Sequence, residues 1–167
     1  MKSLKTLVCV GSFALCFGAA SMANAAYTIA PAGSAFGTTG SITVKSPASL
    51  QQPVTCNIAF AGQVAADGSY AQINSATVTG SNPLCGVPKL LNLPWKLQVT
   101  AGANPSYTGT VSVNFSVVSS CASAAVPIAV TWNNGSNLLS IATQQTVGSC
   151  TITALTATPN PAFVISP

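Results

Sequence analysis

Thr110-Val111-Ser112-Val113-Asn114-Phe115-Ser116-Val117 alternates polar and apolar residues with a period of two. A strand sends successive side chains to opposite faces, so this octet has one apolar face, of Val111, Val113, Phe115 and Val117, and one polar face. Wound as a helix, the same residues would scatter around the axis, and β-branched Val and Thr are weak helix formers. Moving outward, the pattern recurs. Leu91, Leu93, Trp95, Leu97 and Val99 alternate with Asn92, Pro94, Lys96, Gln98 and Thr100 on one side, and Val126, Ile128, Val130 and Trp132 continue the pattern on the other. Further upstream, Val54, Cys56, Ile58, Phe60 and Val64 share a face opposite Thr55, Asn57, Ala59 and Gln63. With residues 42–45, 139–147 and 151–157, these stretches predict about eight or nine half-buried antiparallel strands. No window has the period of an amphipathic helix. Pro94, on the polar side of a strong strand, predicts an edge or a bulge there.

Turn residues punctuate the strands. Ala66-Asp67-Gly68-Ser69 and Asn133-Asn134-Gly135-Ser136 contain the Asp-Gly and Asn-Gly pairs that suit the positive φ of type I′ hairpins. Asn82-Pro83 and Asn104-Pro105 mark loops. Strands at this spacing, with no helices between them, predict an all-β fold: an antiparallel β-sandwich or a flattened barrel.

The first residues concern compartment. Met1, Lys2 and Lys5 make a short basic start, residues 7–20 form an apolar run, and Ala23-Asn24-Ala25 supplies small residues where a signal peptidase cuts. The run is shorter than the ~20 residues a membrane span needs, and no basic stop-transfer cluster follows it. Cys16 follows Leu15 inside that run, which does not suit a lipoprotein signal. Residues 1–25 are therefore read as a secretory signal peptide and residues 26–167 as one β-sandwich domain, secreted to the medium or outer cell surface, with no membrane span in the mature form.

Charge is nearly absent from 26–167. Lys45, Lys89 and Lys96 face Asp67 alone, leaving about +2 of the whole chain's formal +4, with no His, Glu or Arg. Three isolated lysines cannot make the basic patch that phosphate backbones require, so nucleic acid is excluded as a partner. The polar surface must instead come from Ser, Thr, Asn and Gln, and charge repulsion opposes self-association only weakly.

Four cysteines remain beyond the signal: Cys56, Cys85, Cys121 and Cys150. An even number in an exported chain predicts two disulfides, with three connectivities open. No C-x₂-C pair is present to form a zinc knuckle. The separations of Cys56 from Cys85 and of Cys121 from Cys150 are identical, and each interval holds a glycine turn between strands, so these two pairings are expected.

The inventory for catalysis is poor. A Ser-His-Asp or Cys-His arrangement needs His, and a carboxylate pair needs a second acid beside Asp67. Asp67 itself is read as a turn residue ahead of Gly68. Ser41 and Lys45 are the one Ser-Lys combination on a short strand, and both are expected to face solvent. Trp95 and Trp132 lie on apolar strand faces and are expected in the core. The chain is therefore expected to be no enzyme, with no catalytic residues, no cofactor and no metal.

Thr55-Cys56-Asn57-Ile58-Ala59-Phe60-Ala61-Gly62, the segment from Cys85 through Asn92-Leu93-Pro94-Trp95, Val130-Thr131-Trp132-Asn133-Asn134 and the Lys2-Ser3-Leu4-Lys5 start resemble the bacterial protein activator of alkane oxidation family. The resemblance implies a small secreted, non-enzymatic protein that promotes alkane uptake and oxidation by interfacial or emulsifying action. Its partner would be a hydrocarbon or cell-surface interface, and it supplies no catalytic motif to carry over. A pilin-like or biofilm-matrix subunit, self-associating through strand edges, is the alternative. A carrier with a hydrophobic pocket is a third class, and it would need an internal cavity.

Overall fold

The computed structural model describes residues 26–167, and the signal-peptide expectation for 1–25 lies outside the described residues. Thirteen strands are found among them: β1 (Thr28–Ala30), β2 (Ala35–Lys45), β3 (Pro53–Val64), β4 (Ala71–Thr79), β5 (Lys89–Leu91), β6 (Trp95–Ala103), β7 (Ser106–Val117), β8 (Ser119–Ser120), β9 (Val126–Asn133), β10 (Leu138–Ser140), β11 (Gln145–Val147), β12 (Cys150–Asn160) and β13 (Val164–Ser166). Eight of them close into an antiparallel barrel in the order β10-β9-β7-β6-β4-β3-β2-β12, sealed by pairing of Leu139 and Ser140 with Ala157 and Thr156. Of the two expected all-β architectures, the barrel is the one formed.

Period-two alternation produces this closure directly. On β7 Val111, Val113, Phe115 and Val117 point inward and are buried, as are Ile58 and Phe60 on β3, Ile128, Val130 and Trp132 on β9, and Ile152, Leu155 and Ala157 on β12. Thr39, Asn57, Thr77, Gln98, Thr110 and Ser112 face out and are exposed. Apolar-in, polar-out order is the reverse of a transmembrane barrel, whose lipid-facing side is apolar. No helix among the described residues is long and apolar enough to cross a membrane.

Two expected strands are broken. Residues 91–99 do not form one strand: β5 ends at Leu91, and Asn92 takes a left-handed backbone (φ 56). Pro94 has no N–H to give a ladder, and the chain re-enters the sheet at Trp95, whose Nε1–H donates back to the Leu91 carbonyl at 2.8 Å. Nor is β6 an edge, because it lies between β4 and β7; its register shift falls between Val99 and Ala101, away from Pro94. Residues 139–147 likewise divide into β10, which pairs with β9 and β12, and β11, which pairs with β12.

The hairpin turns also differ from the type I′ expectation. Val64 pairs with Ala71 across a six-residue connection in which Gly68 alone is left-handed (φ 72), and the Ile29 N–H donates to the Gly68 carbonyl at 2.8 Å. Asn133 pairs with Leu138 across four residues, and there Asn137 (φ 51) takes the left-handed position instead of Gly135. Asn134 is used differently: its side chain is a hub for the terminal segment.

That segment plugs one end of the barrel. β1 and β13 form a separate two-stranded ribbon that pushes Ile29 and Ile165 into the core, with Phe163 packed edge-on against Phe36 at 5.0 Å. Neither strand was anticipated, because three residues are too few to display a period.

Candidate functional site

Strand direction fixes which loops share an end. β2, β4 and β7 run one way, and β3, β6, β9 and β12 run back, since every neighbouring pair is antiparallel. Residues 46–52, 80–88, 118–125 and 148–149 therefore gather at the end opposite the terminal ribbon. Both disulfides sit there. Cys56, near the start of β3, is joined to Cys85 with Cα atoms 5.6 Å apart, and Cys121 to Cys150 at 5.3 Å. All four cysteines are buried. Neither crosslink simply bridges one hairpin. Cys85 belongs to the short 3₁₀ turn Pro83–Gly86 beyond β4, and Cys121 lies in the loop ahead of β9, its N–H donating to the Phe115 carbonyl at 3.1 Å.

Between these staples the barrel wall is incomplete. β4 pairs with β6 only through Ala71, Gln72 and Ile73, yet continues alongside β3 to Thr79. β6 begins at Trp95, and beyond it β7 is accompanied by β5 instead. A seam without a hydrogen-bond ladder is thus left between the far half of β4 and β5. Residues 80–88 cover it. Asn82 caps the 3₁₀ turn, its Oδ1 accepting from the Leu84 N–H at 2.9 Å, and Cys85 ties the cover to β3. Glycine is required at position 80, where a Cβ would come within 2.8 Å of Cys85 Sγ and 3.2 Å of its Cβ.

Under the cover lies an apolar cavity of about 70 Å³. Its walls are Ile42 and Val44 of β2, Val54, Ile58 and Phe60 of β3, Val78 of β4, Trp95 of β6, Val113, Phe115 and Val117 of β7, Ile128 of β9 and Ile152 and Leu155 of β12, with Leu84, Pro88 and Leu90 from the covering side. Ser46 brings the one hydroxyl of the lining, and Ser49 already engages it at 3.4 Å. Two smaller voids, of about 20 and 10 Å³, lie toward the ribbon end around Trp132 and Phe163. Interior packing therefore loosens toward the disulfide end. The same gradient appears in burial: on β2 Phe36 and Thr38 are buried, whereas the inward Ile42 and Val44 are half-buried, as are Val54, Val78 and Leu90. Apolar interior is open to solvent at this end of the molecule.

Two loop tips at this end expose large aliphatic side chains. Leu50 is 83% exposed and Val118 76%. Both have left-handed backbones, φ 52 and φ 68, and a β-branched residue there is a steric outlier costing roughly 1–3 kcal/mol. The 46–52 loop holds Leu50 through Leu50 N–H to the Pro47 carbonyl at 3.0 Å, while Gln51 Nε2 reaches the Ser149 carbonyl at 3.3 Å, beside the Cys121–Cys150 crosslink.

The remaining residues singled out in the sequence are dispersed. Ser41 Oγ shares a hydrogen bond with Thr156 Oγ1 at 3.0 Å, so its hydroxyl is engaged across the β2–β12 ladder rather than with Lys45. Trp95 and Trp132 are both buried, but Trp95 is also cavity wall. Lys96 Nζ lies 4.4 Å from the centre of the Tyr70 ring, a surface cation–π contact. Among the described residues no three His, Cys, Asp or Glu gather as a metal would require.

Asp67 closes its turn by accepting from the Ser69 N–H at 3.0 Å and the Ser69 hydroxyl at 2.7 Å. The backbone donor first, and then the hydroxyl, hold this exposed carboxyl below its ordinary range. A lowered folded-state value stabilises above the unfolded pKa of about 3.9 and is lost as pH falls through the folded value. With no other side-chain carboxylate and no His in the chain, the thermal midpoint should be flat from about pH 5 to pH 8. Calorimetry across that range checks this, and a midpoint that moves by more than a few degrees would contradict it.

The cavity and its cover were missed in the sequence. A signal existed in Asn82-Pro83 through Pro88, a proline-bounded stretch holding a cysteine between two strands, but it reads as an ordinary loop. Compared with known proteins, the whole chain, residues 1–167, matches the family described as alkane oxidation protein activator, PraA/PraB-like. No curated protein and no solved structure matches it.

Proposed function

We propose, from the premise that the chain belongs to the PraA/PraB-like alkane oxidation protein activator family over its whole length, that it is an exported, non-enzymatic factor raising alkane availability by acting at the oil–water interface. The observation that carries this reading is the pairing, at one end of the barrel, of solvent-open apolar interior with the exposed Leu50 and Val118 tips. The outer surface is almost uncharged, so molecules adsorbed side by side repel one another little. Apolar area removed from water contributes roughly 25 cal/mol per Å², and that end can deliver such area to oil without unfolding the barrel. Two disulfides support export to an oxidising compartment outside the cytoplasm. The near absence of acid–base groups supports a role without catalysis.

Strand-edge assembly into a matrix is less well served. Among the described residues, closure of the eight-stranded barrel leaves unpaired edge on the far half of β4, which residues 80–88 cover, on β6 beyond Leu97, and on short strands such as β5, β8 and β11, and covered or short edges are poor templates.

Mature protein, added at micromolar concentration, should lower hexadecane–water interfacial tension and restore growth on hexadecane to a deletion strain. Leu50→Ser with Val118→Ser should weaken adsorption at least tenfold while leaving the fold intact by circular dichroism. Unchanged tension together with ordered filaments in electron micrographs would overturn this reading in favour of a structural subunit.

A further inference from the structure

We infer that the cavity at the disulfide end is a binding site for the terminal segment of an n-alkyl chain, entered at the seam between β4 and β5 beneath residues 80–88. This deepens the proposed function and rests on it. The lining offers a ligand no hydrogen-bonding group that is free, since the Ser46 hydroxyl is already turned to Ser49. Water needs two to four polar partners to be held in a cavity, so this apolar lining holds water weakly and favours an apolar guest in its place. The cavity's about 70 Å³ is several times the other two voids. An apolar cavity of roughly 150 Å³ holds benzene, so this one holds a chain end of about three carbons in the form described.

The route for the rest of the chain is set by the incomplete wall. Val78 and Leu90, on the two sides of the seam, are half-buried and both line the cavity, so a chain seated inside leaves between them. The cover is suited to being displaced. The hydrogen bonds Leu84 N–H to Asn82 Oδ1 and Cys85 N–H to the Asn82 carbonyl are internal to it. It is held to the barrel by the Cys56–Cys85 crosslink and by the apolar contacts of Leu84 and Pro88. The disulfide thus acts as a hinge pin that limits how far the cover lifts, and so how much alkyl chain the site admits.

The test uses 1-alkanols from ethanol to octanol as soluble probes, titrated into the ¹⁵N-labelled mature protein. The indole N–H of Trp95, in the cavity wall, reports binding, and that of Trp132, outside it, is the internal reference. Saturable shifts at Trp95 but not at Trp132 are expected. Affinity should rise about fourfold per added methylene up to about three carbons and then flatten. Cys56→Ala with Cys85→Ala should carry that rise to longer chains, and Val78→Phe, which fills the seam, should weaken binding at least tenfold. If Val78→Phe fails to fold, Leu90→Phe blocks the seam from the other side. Absent or equal shifts at the two indoles, a rise that never flattens in the disulfide-bonded protein, or tight binding by the blocked variant would overturn the inference. Interfacial tension measured on the same samples separates the two readings. Surface activity without Trp95 shifts removes the cavity alone; Trp95 shifts without surface activity remove the interfacial role and leave the site.

Discussion

Replacing Cys121 and Cys150 with alanine should lower the unfolding free energy by about 3–4 kcal/mol, and replacing Cys56 and Cys85 should do the same. Each crosslink joins cysteines separated by 29 positions in the sequence, and constraint of the unfolded chain grows with the logarithm of the loop length. The loops 56–85 and 121–150 do not overlap in sequence, so the two effects should add, to about 7 kcal/mol. Against the 5–15 kcal/mol typical of a native domain, loss of both leaves little. Cys85 and Cys150 are almost completely buried, and truncating them also leaves unfilled volume. Urea unfolding of the two double variants and the quadruple variant measures this. A quadruple variant within about 2 kcal/mol of the parent would show that the staples do not hold the folded state.

Asn134→Ala should cost about 2–4 kcal/mol at the opposite end of the barrel. Asn134 Oδ1 accepts from the indole N–H of buried Trp132 at 2.7 Å and from the Ile165 N–H at 2.9 Å. Its Nδ2 donates to the Ile165 carbonyl at 2.9 Å and to Asn104 Oδ1 at 3.1 Å. Alanine strands two donors in a setting where water cannot fully replace the lost acceptor, and that asymmetry makes the loss larger than the net value of the bonds. It also unpins β13, so hydrogen exchange at Ile165 should accelerate well before global unfolding. Asn134→Asp keeps the acceptor and loses the donors, and should fall between parent and alanine. An alanine variant within about 1 kcal/mol of the parent, or one in which Ile165 exchange is unchanged, would show that the ribbon is held by Ile29, Phe163 and Ile165 burial alone.

The two variants probe opposite ends of a molecule whose design is asymmetric. At the ribbon end, Phe36, Trp132, Leu139 and Phe163 line a void of only about 20 Å³. At the disulfide end a cavity of about 70 Å³ is left unfilled, the wall opens beside Val78, and covalent links stand in for part of the missing packing. Loss of Asn134 should therefore leave alkanol binding at Trp95 unchanged, whereas loss of Cys56–Cys85 should alter it.

Much of this was legible from residue order. Strand identity followed from the strict alternation of stretches such as 54–64, 110–117 and 126–132, because each strand has one face on the barrel interior and one in water, and a period of two is the direct image of that division. The family resemblance was carried by Leu93-Pro94-Trp95 and by Val130 through Asn134, segments that prove to hold a cavity wall and the ribbon hub. Poverty in charge was likewise readable by counting. Other features came only with the tertiary structure, since they depend on which distant residues meet. Closure through Leu139 and Ala157 joins strands whose pairing no local pattern encodes. The three-residue ribbon is stable only because Asn134 and the core receive it. The break at Asn92 was hidden because Leu91 and Leu93 keep alternating through it, although Pro94 cannot donate to a ladder. Finally, the cavity exists because β4 parts from β6 after Ile73; a void is a property of what fails to meet, and a linear sequence records only what is present.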